Sequence, residues 1–249
     1  MMRQIILPAA VLAASLSQPL LAAEFPATLG WSDRTALSLP VSGLVKEVHV
    51  RAGQDVVAGT PLVSLDPRAF DARLREARAG VQSLERKRAE AEREAQRAEE
   101  LYARTVLSNV ELERAHIEQQ QVDGQYQQAR ARLQQAEIER GYSQLKSPFP
   151  ARVLAVNIAA GEAISATLQA PALVEVARAG VIDAIAALRP EQAQGLRLGD
   201  RVEVEVNGER AAGEILALES LREGGYRLVV RVKTGKDWLA GLPARVITP

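Results

Sequence analysis

The side chains that most often carry catalysis or hold metals are sparse in this chain of 249 residues. It has no cysteine, which removes thiolate nucleophiles, disulfides, zinc fingers and iron–sulfur clusters together. Two histidines remain. His49 sits in an alternating apolar run and reads as a strand residue with a satisfied ring; His116 lies beside Ala115 with no carboxylate or imidazole at ligand spacing. Gly59-Thr60 lacks the lysine and the preceding glycine of a phosphate loop, and no nucleophile elbow occurs. Carboxylates are plentiful but strung along a helical stretch, where solvation accounts for them better than general acid–base work. The reading is therefore of a non-enzyme with no catalytic residue, no metal site and no cofactor. The charge balance points the same way. With 31 Lys+Arg against 31 Asp+Glu the net charge is +0, and aromatics make up 4%, so the chain lacks both the basic footprint and the stacking platform of a nucleic-acid binder.

Positioning elements follow from pattern. Residues 1–23 carry Arg3, an apolar stretch, then Ser17, Gln18 and Pro19 before Ala22-Ala23, which reads as a secretory signal peptide cleaved before Glu24. The competing reading is an uncleaved anchor, since the apolar part approaches the length that crosses about 30 Å of bilayer. Residues 24–35 form a short N-terminal segment. Between residues 67 and 145 Gly and Pro nearly vanish, and good helix formers take over. Apolar or small residues recur at spacings of four and three: Phe70, Leu74, Ala77, Val81, Leu84, then Ala91, Ala95, Ala98, Tyr102 and Thr105. A second run passes through Leu112, Ala115, Gln119, Val122, Tyr126, Ala129, Leu133 and Ala136. This is the seam of a coiled coil folded back at Leu107, each arm about 60 Å long at most. Ser108 is placed to cap the second arm, with Glu111 completing a capping box. Arg86/Glu90, Arg88/Glu92 and Glu100/Arg104 are spaced as i,i+4 ion pairs on the solvated face.

The hairpin interrupts a repeat. Pro40-x-x-Gly43-x-Val45 is answered by Pro148-x-x-Ala151-x-Val153, and Val50-x-x-Gly53-x-x-Val56 by Ile158-x-x-Gly161-x-x-Ile164. Each copy is too short to bury a core alone, so residues 36–66 and 146–177 are expected to pair as one small sandwich with Val45, Val48, Val153 and Val156 sharing its core. The block 178–249 alternates as strands do, turns at Asn207-Gly208, and starts a short helix at Pro190; it is expected to form a small β-barrel.

At these residues the sequence resembles the periplasmic adaptor, or membrane fusion, proteins of the HlyD-like family, drug-efflux type. The resemblance implies a mixed α and β, multidomain fold: a split lipoyl-like β-sandwich (36–66 plus 146–177), an inserted α-helical hairpin (67–145) and a β-barrel (178–249), with the family's membrane-proximal domain absent or vestigial. A lipoyl-like domain also raises a carrier lysine, but Lys46 and Lys146 fall inside strand-like segments while the hairpin occupies the carrier position. The family's tip pattern, Arg-x3-Leu-x6-Ser, matches Arg97, Leu101 and Ser108, with Glu118 ten residues further on where an acidic residue is usual. By resemblance these four contact an outer-membrane channel of the TolC-like class. The implied partners are that channel and an inner-membrane transporter, RND type first and ABC type second, with the adaptor forming a hexameric ring in the periplasm. A plain coiled-coil scaffold that contacts no channel is the competing non-enzymatic reading.

Overall fold

The computed structural model describes residues 23–166, 170–222 and 224–248; the expected signal segment, Ala23 apart, lies outside the described residues. The chain divides into two compact units. One comprises residues up to Ser32 together with those from Gly180 onward, and the other runs from Asp33 to Ala179.

The first unit is built from β1 (Ala23–Trp31), and the second contributes β2 (Thr35–Leu37), β3 (Gly43–Val48), β4 (Asp55–Val56), β5 (Pro61–Leu65), α1 (Arg68–Ala103) and α2 (Asn109–Tyr142). The second unit continues with β6 (Gln144–Lys146), β7 (Ala151–Val156), β8 (Ala163–Ile164) and β9 (Val174–Arg178). The chain then returns to the first unit through β10 (Val181–Leu188), α3 (Pro190–Ala193), β11 (Arg201–Val206), β12 (Glu209–Ser220), β13 (Tyr226–Lys233) and β14 (Pro243–Thr248).

In the second unit two four-stranded sheets, β2-β9-β7-β4 and β6-β5-β3-β8, enclose one core. The sequence repeat becomes an exchange of strands. β3 of the first copy pairs with β8 of the second, and β4 of the first pairs with β7 of the second. Two hydrogen bonds recur about the pseudo-twofold, making four in all. Gly53 and Val45 donate to the carbonyls of Val153 and Glu162, and Val153 and Gly161 donate to those of Gln54 and Val45, all at 2.8 Å. Gly53 and Gly161 take φ of 85° and 90°, a conformation that glycine reaches without steric cost, which explains their matched positions. Val45 and Val153 are 1% and 0% exposed, and Val48 and Val156 pack against the same cluster, so the four valines share the core as their spacing predicts.

The first unit is a closed six-stranded barrel in the order β1-β10-β13-β12-β11-β14. Alternate residues point inward on every strand; Val202, Val204, Val206, Leu228, Val230 and Val232 are all buried. Asn207 and Gly208 turn with φ of 51° and 82°, the paired positive angles of a tight hairpin, and Pro190 occupies the first helical turn of α3. The N-terminal boundary differs from the sequence expectation. Instead of standing apart as a 24–35 segment, residues 23–31 form a barrel strand that pairs with β10 and β14. The physical reason is alternation that a nine-residue stretch makes easy to overlook: Phe25, Ala27 and Leu29 are the buried face.

Candidate functional site at the hairpin tip

α1 and α2 fold back on one another as an antiparallel pair inserted between β5 and β6. Arg140 of α2 donates to Asp71 of α1 at 2.5 Å where the hairpin leaves the sandwich. Nearby, Arg68 donates to the Asp66 carboxylate and holds its pKa down at about 2. The seam runs as its spacing predicts, with Phe70, Ala95 and Ala98 buried on α1 and Val122, Ala129 and Ala136 on α2. It ends earlier than expected. Ala98 is the last buried seam residue of α1, Tyr102 is half exposed, and Thr105 is no seam residue at all.

Thr105 stands in the turn with φ of 59°. Its N–H donates to the Tyr102 carbonyl at 2.9 Å, and the Val106 N–H donates to the Leu101 carbonyl at 3.0 Å. This is a Schellman ending, which satisfies the last carbonyls of a helix and usually places glycine at the left-handed position. A β-branched residue there is strained, by about 1–2 kcal/mol. Two residues later Ser108 opens α2 with the full capping box: its hydroxyl oxygen accepts from the Glu111 N–H, and its own N–H donates to the Glu111 carboxylate. The Ser108 hydroxyl also donates to the Glu111 carboxylate at 2.8 Å, and this bond first and the Ser108 N–H second hold the Glu111 pKa below its ordinary value.

Arg97 and Leu101 stand one turn apart, off the seam and exposed. Arg97 is already engaged, donating to Glu94 at 3.0 Å. Leu101 is 40% exposed, and beside it Tyr102, Val106 and Val110 leave apolar surface open at the same end. Glu118 lies on α2, about 15 Å from Ser108 along the helix. The Arg73–Glu139 pair fixes the facing register of that flank, and in it Glu118 comes opposite Glu94, and Leu101 opposite Glu111. Leu101 and Glu118 therefore belong to one flank, to which Arg97 is tied through Glu94, although Glu118 is displaced from the tip itself.

Two local pairings depart from the sequence reading, one for a partner across the hairpin and one for a nearer partner on the same helix. Arg88 pairs with Asp123 of α2 at 2.7 Å rather than with Glu92, and Glu90 pairs with Arg93 rather than with Arg86. His116 has a carboxylate after all: its Nε2 meets Glu99 across the hairpin at 2.8 Å. His49 follows β3 with its Nε2 2.7 Å from the Ser64 hydroxyl. Among the described residues no group of three or more His, Asp or Glu is arranged to hold a metal ion. Lys46 lies within β3 and Lys146 ends β6. The apolar tip residues Val106 and Val110 escaped attention in the sequence; two valines flanking a serine cap, with no seam to bury them, were the available signal.

The family described as RND MFP, barrel-sandwich hybrid domain, matches residues 36–176, which span the exchanged sandwich and the hairpin. The chain belongs to the membrane fusion protein family. Solved structures with the same fold include a MacA-MexA chimera carrying the Pseudomonas aeruginosa MexA α-hairpin domain (TM-score 0.68, 19% identity, 91% of this chain and 80% of that one). A membrane fusion protein of Streptococcus pneumoniae is similar over 90% of this chain and 97% of its own (TM-score 0.68, 15% identity). The periplasmic adaptor protein EmrA is similar over 91% and 99% (TM-score 0.51, 13% identity). No curated protein matches the sequence. Among the described residues no helix is long and apolar enough to cross a membrane.

Proposed function

We propose that this membrane fusion protein is the periplasmic adaptor of a tripartite efflux pump, exported by a cleaved signal peptide and bridging an inner-membrane transporter to an outer-membrane channel of the TolC-like class. The observation that carries the reading is the open apolar end of the hairpin, where Leu101, Tyr102, Val106 and Val110 are exposed around a rigidly capped turn. Exposed apolar surface gathered at one end of a charged rod marks a contact site. Leu101 packs into an apolar notch of the channel end, Arg97 exchanges Glu94 for a carbonyl or carboxylate of the partner, and Ser108 hydrogen-bonds across the joint. The exchange is inexpensive because an exposed ion pair of this kind is worth about 0–1 kcal/mol. Glu118, further down the same flank, reaches only a partner that overlaps the hairpin side. The transporter is of the RND type, the class named in the matching family description. A narrow hairpin cannot seal a conduit alone, so copies assemble side by side as a hexameric ring around the path.

The test is drug susceptibility in cells expressing variants at normal level. Arg97→Asp and Leu101→Asp are expected to abolish efflux while circular dichroism reports an intact hairpin. Full activity in both variants would overturn docking through the tip and leave the hairpin as a scaffold.

A further inference from the structure

The sequence places the signal-peptide cut between Ala23 and Glu24, and the fold puts that bond inside a strand. β1 opens at Ala23 itself. Ala23, Glu24 and Phe25 pair with Thr248, Ile247 and Val246 of β14. The Ala23 carbonyl, the group a peptidase attacks, accepts from the Thr248 hydroxyl at 3.3 Å, and the Glu24 carboxylate lies 3.8 Å from the Arg245 guanidinium. Phe25 is 4% exposed and belongs to the barrel core. Proteases take their substrates as extended, unpaired chain, so a folded protein is cut through the fraction that has opened. Fraying of the exposed Ala23 and Glu24 does not suffice, because a peptidase holds residues on both sides of the bond; Phe25 must leave the core as well. Loss of its burial makes the open chain about tenfold to a hundredfold rarer. One strand controls this opening. The ladder between β1 and β10 begins at Ala27, so residues 23–26 are held by β14 alone, and β14 is the last strand of the chain to be made.

We propose that the arrival of β14 ends the processing window: the Ala23–Glu24 bond is hydrolysed in chains whose barrel is still open, and a chain that closes first keeps its apolar leader. The proposal rests on the signal-peptide reading above and adds its timing. In the open chain water is added across the bond by way of the peptidase nucleophile, leaving a carboxylate on Ala23 and an amine on Glu24. The mature strand then starts at Glu24, and β14 closes on it without the Ala23–Thr248 rung. In the closed chain the same residues are a finished strand. Leu21 brings the two rates together. It stands third before the cut, where a small side chain is read, so cutting is slowed and closure competes with it. The two readings of residues 1–23, a cleaved signal and an uncleaved anchor, thereby become two products of one chain, one released and one held at the membrane, in a ratio set by the race.

The test uses the full-length precursor, accumulated in cells whose signal peptidase is inhibited, purified in detergent and then given active signal peptidase, with cleavage followed by intact mass. A synthetic peptide of residues 12–29 is the unfolded reference. The peptide is expected to be cut between Ala23 and Glu24, and the folded precursor at least tenfold more slowly. A precursor with Val246→Asp, which puts a charge at a fully buried β14 position, should be cut at nearly the rate of the peptide. Because that substitution disturbs more than the one strand, a second variant probes β14 in the intact barrel. Pro26→Cys with Arg245→Cys places two exposed, directly opposed thiols in a chain with no other cysteine. Oxidation ties β1 to β14 and should slow the cut by a further tenfold, and reduction should restore the rate. A folded precursor cut as fast as the peptide, or a disulfide that leaves the rate unchanged, would overturn the proposal and leave the signal peptide standing. A peptide left uncut at Ala23–Glu24 would overturn the signal-peptide reading and this proposal with it.

Discussion

The exchanged sandwich and the hairpin inserted into it hold their shapes by opposite means. In the sandwich, side chains from both copies interdigitate until Leu62, Val63, Val153, Val174 and Val176 have no exposed surface, so large groups carry the stability. In the hairpin four of the six buried seam residues are alanine, so many layers bury little side chain, and order at the end depends on local devices: the Schellman turn, the capping box and ion pairs between the helices. The difference teaches that the sandwich is an anchor complete in itself. The hairpin is an inserted element whose outer faces and end stay exposed.

The contrast is most open to disproof in the core of the anchor. Leu62→Ala should cost about 2–5 kcal/mol by lost burial and a residual cavity, measured by urea unfolding. A loss below 1 kcal/mol would mean that the sandwich is no better packed than the hairpin. The turn offers a smaller effect of opposite sign. Thr105→Gly relieves the left-handed strain and should stabilise the hairpin by about 1 kcal/mol, read as a higher melting temperature of the helical signal. The finest distinction is pH. The Glu111 carboxyl titrates below its ordinary value of 4.5 in the fold, because the Ser108 hydroxyl and N–H bind its ionised form. The sign follows: the contribution is complete above the unfolded value and disappears as pH falls through the lowered folded one. Helicity between pH 5 and pH 3, followed by circular dichroism, should therefore fall slightly further in the native chain than in Glu111→Gln, which keeps the cap without the titration.

What was legible in the sequence was whatever repeats or caps locally. The echo of Gly43-x-Val45 in Ala151-x-Val153, the four-three spacing of the seam, Ser108 with Glu111, and Asn207-Gly208 each state their own geometry within a few residues. What stayed hidden depends on chain arriving from far away. His116 finds Glu99 and Arg88 finds Asp123 only because the hairpin folds back, and β1 is a barrel strand only because β10 and β14 lie on either side of it. The tip was half legible. The Arg97, Leu101 and Ser108 pattern falls close to the turn of the hairpin, but nothing in the spacing announced that Arg97 would be held by Glu94 or that Thr105 would carry the turn.

The strand exchange also sets an order of events as the chain emerges. β3 finds its β8 neighbour only after about 120 further residues have been made, since Gly43 pairs with Ile164, and β1 finds β14 only after about 225, where Ala23 meets Thr248. Closing such distant contacts costs loop entropy before anything is gained, whereas α1 and α2 pair with their sequence neighbours. The helical hairpin can thus form first and bring the two halves of the sandwich together, with the barrel closing last. A chain missing only its final strand would keep nearly every residue yet leave β1 and β11 as open edges, inviting association with other chains and attack by proteases. Completion of the barrel is in that sense the molecule's own proof that β14 has been made.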